Sequence, residues 1–131
     1  MTERLDLYKC NLCGNLVEVV LSGDGELVCC GKPMEFLEAK TNDSDYAEKH
    51  VPVFSDTVDD GVEIRVGSQL HPMLNEHYIQ FIEAITKDKS TVYLKYLNPE
   101  DIAEFEINNL EKGIEAIEHC NIHGLWRSKN D

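Results

Sequence analysis

Two groups of side chains in this 131-residue sequence have the donor types and spacings of metal sites. The first is Cys10-x-x-Cys13-Gly14, followed fifteen residues on by Cys29-Cys30-Gly31. A Cys-x-x-Cys turn aims two sulfurs at one point, and Gly14 eases the backbone where amides approach them. Adjacent cysteines such as Cys29 and Cys30 rarely bond to each other in a folded β-element, yet both serve one ion readily. Soft sulfur donors select zinc or iron, and a closed four-thiolate set is equally the pattern of a structural zinc ribbon. The spacing predicts that Cys10, Cys13, Cys29 and Cys30 share a metal.

The second group is scattered. His50 stands in "EKHVPV", His71 and His77 in "LHPMLNEHYI", and Cys120 with His123 in "CNIHG". One histidine alone is more often an ordinary surface or core residue than a ligand. Here Pro52 and Pro72 stiffen the backbone beside two of them. His71 and His77 are six apart, too far for one helical face but within reach from a loop between strands. With Cys120 and His123 they make a candidate set of four imidazoles and one thiolate; the alternative is chance clustering. Structural zinc closes at four ligands and catalytic zinc typically uses three. Five such donors suit iron, with nitrogens in a plane, sulfur on the axis and one position open. An axial thiolate donates electron density to whatever binds opposite, as in thiolate-ligated haem.

Short strands and turns must position these residues. Residues 1–36 read as a unit, with a hairpin about the "SGDG" turn and Val17, Val19 and Leu21 on one face of its first strand. A unit of this length needs its cysteines, because chains below ~40 residues seldom bury enough core alone. Residues 37–47, polar and turn-rich, read as a linker. Beyond them, "VPVF", the turn "SDTVDDG", "VEIRV" with Val62, Ile64 and Val66 on one face, "TVYLKYL", and "AEFEI" with Ala103, Phe105 and Ile107 inward predict a β-sandwich of ~90 residues. "HYIQFIEAI" and "NLEKGIEAIEH" fit helix and strand alike.

A net charge of −13 argues against nucleic-acid binding and against anionic membranes. No apolar run approaches the ~20 residues of a membrane span. "MTERLDLY" has neither a basic nor an apolar leader region, so the expectation is no membrane and a reducing cytoplasm, where clustered cysteines point to metal before disulfides.

Taken in order, "YKCNLCGNLVEVV…GELVCCGKPM", "EKHVPV", "HPM…EHYI" and "CNIHGLW" resemble the desulfoferrodoxin type of superoxide reductase over essentially the whole chain. The resemblance implies an all-β protein: a desulforedoxin-like domain at 1–36, then an immunoglobulin-like β-sandwich at 48–131. It implies two irons, one on Cys10, Cys13, Cys29 and Cys30, the other on His50, His71, His77 and His123 with Cys120 axial. Amides of Ile122 and His123 would tune that sulfur. The implied reaction is one-electron reduction of superoxide to hydrogen peroxide without oxygen evolution. Electrons would come from rubredoxin or a similar carrier, and the protein would be a homodimer. Lys49 would attract superoxide and hold the reduced species; Glu48 would ligate oxidised iron. His119 falls outside the pattern and is expected not to ligate. The rival readings are a zinc-ribbon adaptor without chemistry, a dismutase, and a non-haem oxygenase. The oxygenase fits poorly, because its two-histidine, one-carboxylate set is a different donor pattern.

Overall fold

The computed structural model describes residues 1–57, 61–108 and 112–130. The chain forms two compact units, Met1–Glu38 and Ala39–Asp131.

The first unit contains β1 (Leu7–Lys9), β2 (Leu16–Glu18), β3 (Val28–Cys29), β4 (Lys32–Pro33) and β5 (Glu35–Phe36). They form a sheet of order β2-β1-β5 and a separate β3-β4 ladder. This corrects the expected hairpin about "SGDG", because β2 pairs with β1 and β3 with β4. The cysteine turn decides the pairing. Cys10 N–H donates to the Asn15 carbonyl at 2.8 Å and Gly14 N–H to the Cys10 carbonyl at 2.9 Å, with Gly14 at φ +86°. That closes a hairpin directly around Cys10–Cys13. Nor do the three apolar residues share a face: the strand ends at Glu18, Val19 is buried, and Leu21 is 83% exposed. Leu7, Cys10 and Val19 are the buried apolar residues of this unit. So small a core leaves its stability to the cysteine site.

In the second unit, a single helical turn α1 (Ala47–His50) precedes seven strands among the described residues. They are β6 (Pro52–Asp56), β7 (Val62–Val66), β8 (Ile79–Ile85), β9 (Val92–Tyr96), β10 (Glu104–Ile107), β11 (Glu115–Cys120) and β12 (Gly124–Lys129). One antiparallel sheet runs β10-β7-β6 and the other β12-β11-β8-β9. Placing the first, second and fifth strands against the third, fourth, sixth and seventh gives an immunoglobulin-like sandwich. Val62, Ile64, Val66 and Ile107 from one sheet meet Ile79, Ile82, Ala84 and Ala116 from the other in one core. Fully burying an Ile or Val contributes about 1.5–3 kcal/mol. Ala103 and Phe105 pack against the same core.

The two ambiguous stretches are strands, β8 and β11. Residues 109–111 of the second lie outside the described residues, as do 58–60 of the expected "SDTVDDG" turn. β8 and β11 pair with a register shift at His119/Cys120, so that His119 faces Phe81 but Cys120 faces Ile79. Such a bulge re-aims a side chain, and here Cys120 and Ile79 both enter the core. Among the described residues no helix is long and apolar enough to cross a membrane.

Candidate metal centres

In the first unit, the sulfurs of Cys10, Cys13, Cys29 and Cys30 all lie within 4.8 Å of one another. The Cys13 and Cys29 sulfurs are 3.6 Å apart. Left-handed Cys30 (φ +53°) and Gly31 (φ +76°) turn β3 into β4, which brings the adjacent sulfurs of Cys29 and Cys30 to 4.0 Å. The Cys13 and Leu12 amides pull the Cys10 thiol down to about 6. Its neighbours, Cys13 first, push the Cys30 thiol up to about 12. One thiolate is thus favoured and further ones repelled, so four coexist only around a cation.

In the second unit, the donor atoms of His50, His71, His77, Cys120 and His123 also lie within 4.8 Å of one another. They come from three places. His50 ends α1 and is 1% exposed. His71 and His77 lie on the loop between β7 and β8. Cys120 ends β11, and His123 sits in the turn before β12. The backbone fixes the imidazoles: Nδ1 of His50 is 2.8 Å from the Tyr46 carbonyl, and Nδ1 of His71 is 2.6 Å from that of Pro72. A carbonyl only accepts, so each Nδ1 carries the proton and each Nε2 presents a lone pair. Those two Nε2 atoms are 3.0 Å apart. Two acceptors at that distance repel unless a cation lies with them. The Nε2 of His77 is buried without a hydrogen-bond partner. Buried polar atoms are nearly always satisfied, so these orphaned nitrogens match a metal ion's needs. Burial lowers His50 and His123 and brings His71 to about 4, which keeps the rings neutral and ligating.

Cys120 is fully buried, and its sulfur accepts the His123 N–H at 3.4 Å. Burial pushes its thiol up, while the His123 and Ile122 amides pull it down. Asn121 holds the loop to the histidine segment. Its Oδ1 accepts Tyr78 N–H at 2.9 Å, and its Nδ2 donates to the Glu76 carbonyl at 3.1 Å. Trp126, fully buried, stacks on His50 with centroids 4.8 Å apart and donates to the His123 carbonyl at 3.2 Å. The Lys40 ammonium donates to that carbonyl at 2.9 Å and lies 5.2 Å from the Trp126 ring.

Glu48 and Lys49 are exposed on α1, next to His50 in sequence, and Glu48 is not among the converging donors. His119 is also outside that set; its Nδ1 is 2.6 Å from Gln80 Oε1 and its ring lies parallel to Phe81. Sequence reasoning missed Lys40 and Tyr46, which lie in the stretch read as linker. Only the cation and the aromatic ring marked them there.

Residues 42–129 match the Desulfoferrodoxin family, and residues 2–37 match the Desulfoferrodoxin N-terminal domain. The desulfoferrodoxin of Syntrophotalea carbinolica is 48% identical over 129 residues, spanning 98% of this chain and 99% of its own. The superoxide reductase of Pyrococcus horikoshii is 33% identical over 100 residues, covering 63% of this chain and 85% of that one. The solved superoxide reductase from Treponema pallidum superposes with a TM-score of 0.74 at 25% identity, over 98% of this chain and 100% of that one.

Proposed function

The chain belongs to the desulfoferrodoxin family, and from that premise we propose that it is a superoxide reductase with two irons per chain. The reaction is superoxide plus one electron plus two protons giving hydrogen peroxide, with no oxygen evolved. The observation that carries the reading is the convergence of four imidazoles and one buried thiol, with the lone pairs of His50 and His71 facing each other at 3.0 Å.

Iron held by His50, His71, His77, Cys120 and His123 would supply the one-electron couple for reducing superoxide. The chain does the rest. The Tyr46 and Pro72 carbonyls lock the protons of His50 and His71 on Nδ1, so both rings offer Nε2 without rearrangement. The Ile122 and His123 amides stabilise negative charge on the Cys120 sulfur and temper its donation. Cys10, Cys13, Cys29 and Cys30 would hold the second iron.

Lys49 is assigned to drawing in superoxide and holding the reduced species, because it adjoins ligand His50 and is exposed. Local charge has to prevail over a net charge of −13. At physiological salt the Debye length is ~8 Å, so remote carboxylates are screened more than a neighbouring ammonium. Glu48 is assigned to ligating the oxidised iron. The electron donor is rubredoxin or a similar small carrier, and the protein is a cytoplasmic homodimer; the support for these is the family relationship, and light scattering measures the oligomer.

Stopped-flow mixing of the reduced protein with superoxide, quantifying peroxide and oxygen, tests the activity. Peroxide in proportion to oxidised protein, without oxygen, is expected; oxygen release would mean dismutation. Metal analysis giving one zinc in place of two irons would sink the reading altogether.

A further inference from the structure

Tyr46 has an unusual backbone. Its φ of +68° and ψ of 16° are left-handed, a conformation that costs any residue with a Cβ and that glycine adopts freely. Such outliers persist where the surroundings over-determine them, often at functional sites. Its side chain gives α1 no capping bond, and the residue is 60% exposed. Neither capping nor core burial therefore accounts for a tyrosine in this geometry.

What the geometry does is join two ligands. The Tyr46 carbonyl lies 2.8 Å from Nδ1 of His50, and the Tyr46 ring packs against His123 with centroids 4.9 Å apart and planes 30° from parallel. His50 and His123 belong to segments more than seventy residues apart in the sequence. The His123 ring has three aromatic neighbours among the described residues: His50 at 4.8 Å, His77 at 5.1 Å and Tyr46. The first two belong to the converging donor set themselves. Tyr46 is the neighbour outside that set, and its ring packs on His123 without being a donor to the metal.

We propose that Tyr46 is a positioning residue of the five-donor centre, holding His50 through its carbonyl and the plane of His123 through its ring. This rests on the reading of that centre as an iron site. The left-handed backbone is what allows one residue to do both, since it lets the chain turn back to His50 while the side chain reaches over the last ligand loop.

Because the carbonyl survives any substitution, side-chain variants isolate the ring. Tyr46→Gly accepts the left-handed backbone without penalty, Tyr46→Asn tolerates it, and Tyr46→Phe keeps the ring. The measurements are thermal unfolding of the metal-free proteins, the sulfur-to-iron band of the oxidised proteins, and iron loss from this centre to a ferrous chelator, scored by that band after reoxidation. Metal-free Tyr46→Gly should melt no lower than the parent. Its iron should nevertheless leave about tenfold faster, the lower end of what removing an outer partner of a metal ligand costs, with a displaced band. Tyr46→Asn should behave as Tyr46→Gly does, and it carries the test should the glycine variant not fold. Tyr46→Phe should match the parent. Parental iron retention and an unmoved band in the glycine or asparagine variant would overturn the assignment, as would a phenylalanine variant as leaky as the glycine one. A parent protein with no iron at this centre would instead overturn the site reading itself, and Tyr46 with it.

Discussion

The Cys120 sulfur sits where two opposing effects meet: burial raises its pKa and two backbone amides lower it. Hydroxyl oxygen in its place is a poor soft donor. Cys120→Ser should therefore abolish the thiolate-to-iron charge-transfer colour and superoxide reduction; a visible spectrum and stopped-flow trace like the parent's would refute the sulfur's role. His71 makes a different prediction, on the metal-free protein. Burial holds it at about 4 against an ordinary 6.5. Between those values the unfolded chain binds a proton that the folded chain does not, so stability rises with pH there. The contribution is complete above 6.5 and is lost as pH falls towards about 4, on the order of 3 kcal/mol in all. His50 and His123 are lowered in the same direction, so the difference in urea unfolding between the metal-free parent and its His71→Asn variant across that interval measures it, and the variant should show the flatter dependence. These ligands were legible in the sequence because imidazole and thiolate are distinctive donors in stiff, short motifs. Tyr46 and Lys40 were not, since one ring and one cation in a polar stretch carry no periodicity.

At the scale of elements, Gly67 sets where α1 lies. It has φ +79°, its N–H donates to the Val51 carbonyl at 3.0 Å, and a Cβ there would stand 2.7 Å from the Lys49 carbonyl carbon and 2.6 Å from the Gln69 carbonyl oxygen. Both are backbone atoms, so the chain carrying Lys49 and His50 has to move. Gly67→Ala should cost about 2–3 kcal/mol, combining left-handed strain with the clash, and should lower iron occupancy at the five-donor centre while the four-cysteine centre fills normally. Chemical denaturation and metal analysis check the two halves of that statement. β7 was readable because it alternates, with Val62, Ile64 and Val66 buried and Arg65 exposed. β8 was not, because the run from Ile82 to Ile85 is buried at every position, Glu83 included. A strand covered on both faces loses its period of two. In the first unit the ladders follow turns that the cysteines impose, and hydrophobic patterning had little say.

For the molecule as a whole, the question is how an anion reaches an acidic protein. If Lys49 supplies the local attraction, added salt should slow superoxide capture by the parent. Lys49→Ala should slow capture about tenfold at low ionic strength, the lower range of electrostatic steering, and should lose or reverse the salt effect because only repulsion remains. Second-order rates from low to high salt decide it; parallel curves for the two proteins would remove Lys49 from the capture step.

The attachment of Lys40 bears on how this protein is divisible. Its N–H donates to the Leu125 carbonyl, its carbonyl accepts Arg127 N–H, and its ammonium reaches the His123 carbonyl. Together with Tyr46 it makes the stretch ahead of α1 a strap belonging to the sandwich, whose contacts begin at Ala39. A shortened polypeptide starting at Ala39 should fold and load one iron, whereas one starting at Glu48 should melt lower and load poorly, as calorimetry and iron assays would reveal. The seam along which the small module could be shed or exchanged in evolution therefore lies ahead of the strap, and a lineage that cut behind it would have discarded part of its own active-site scaffold.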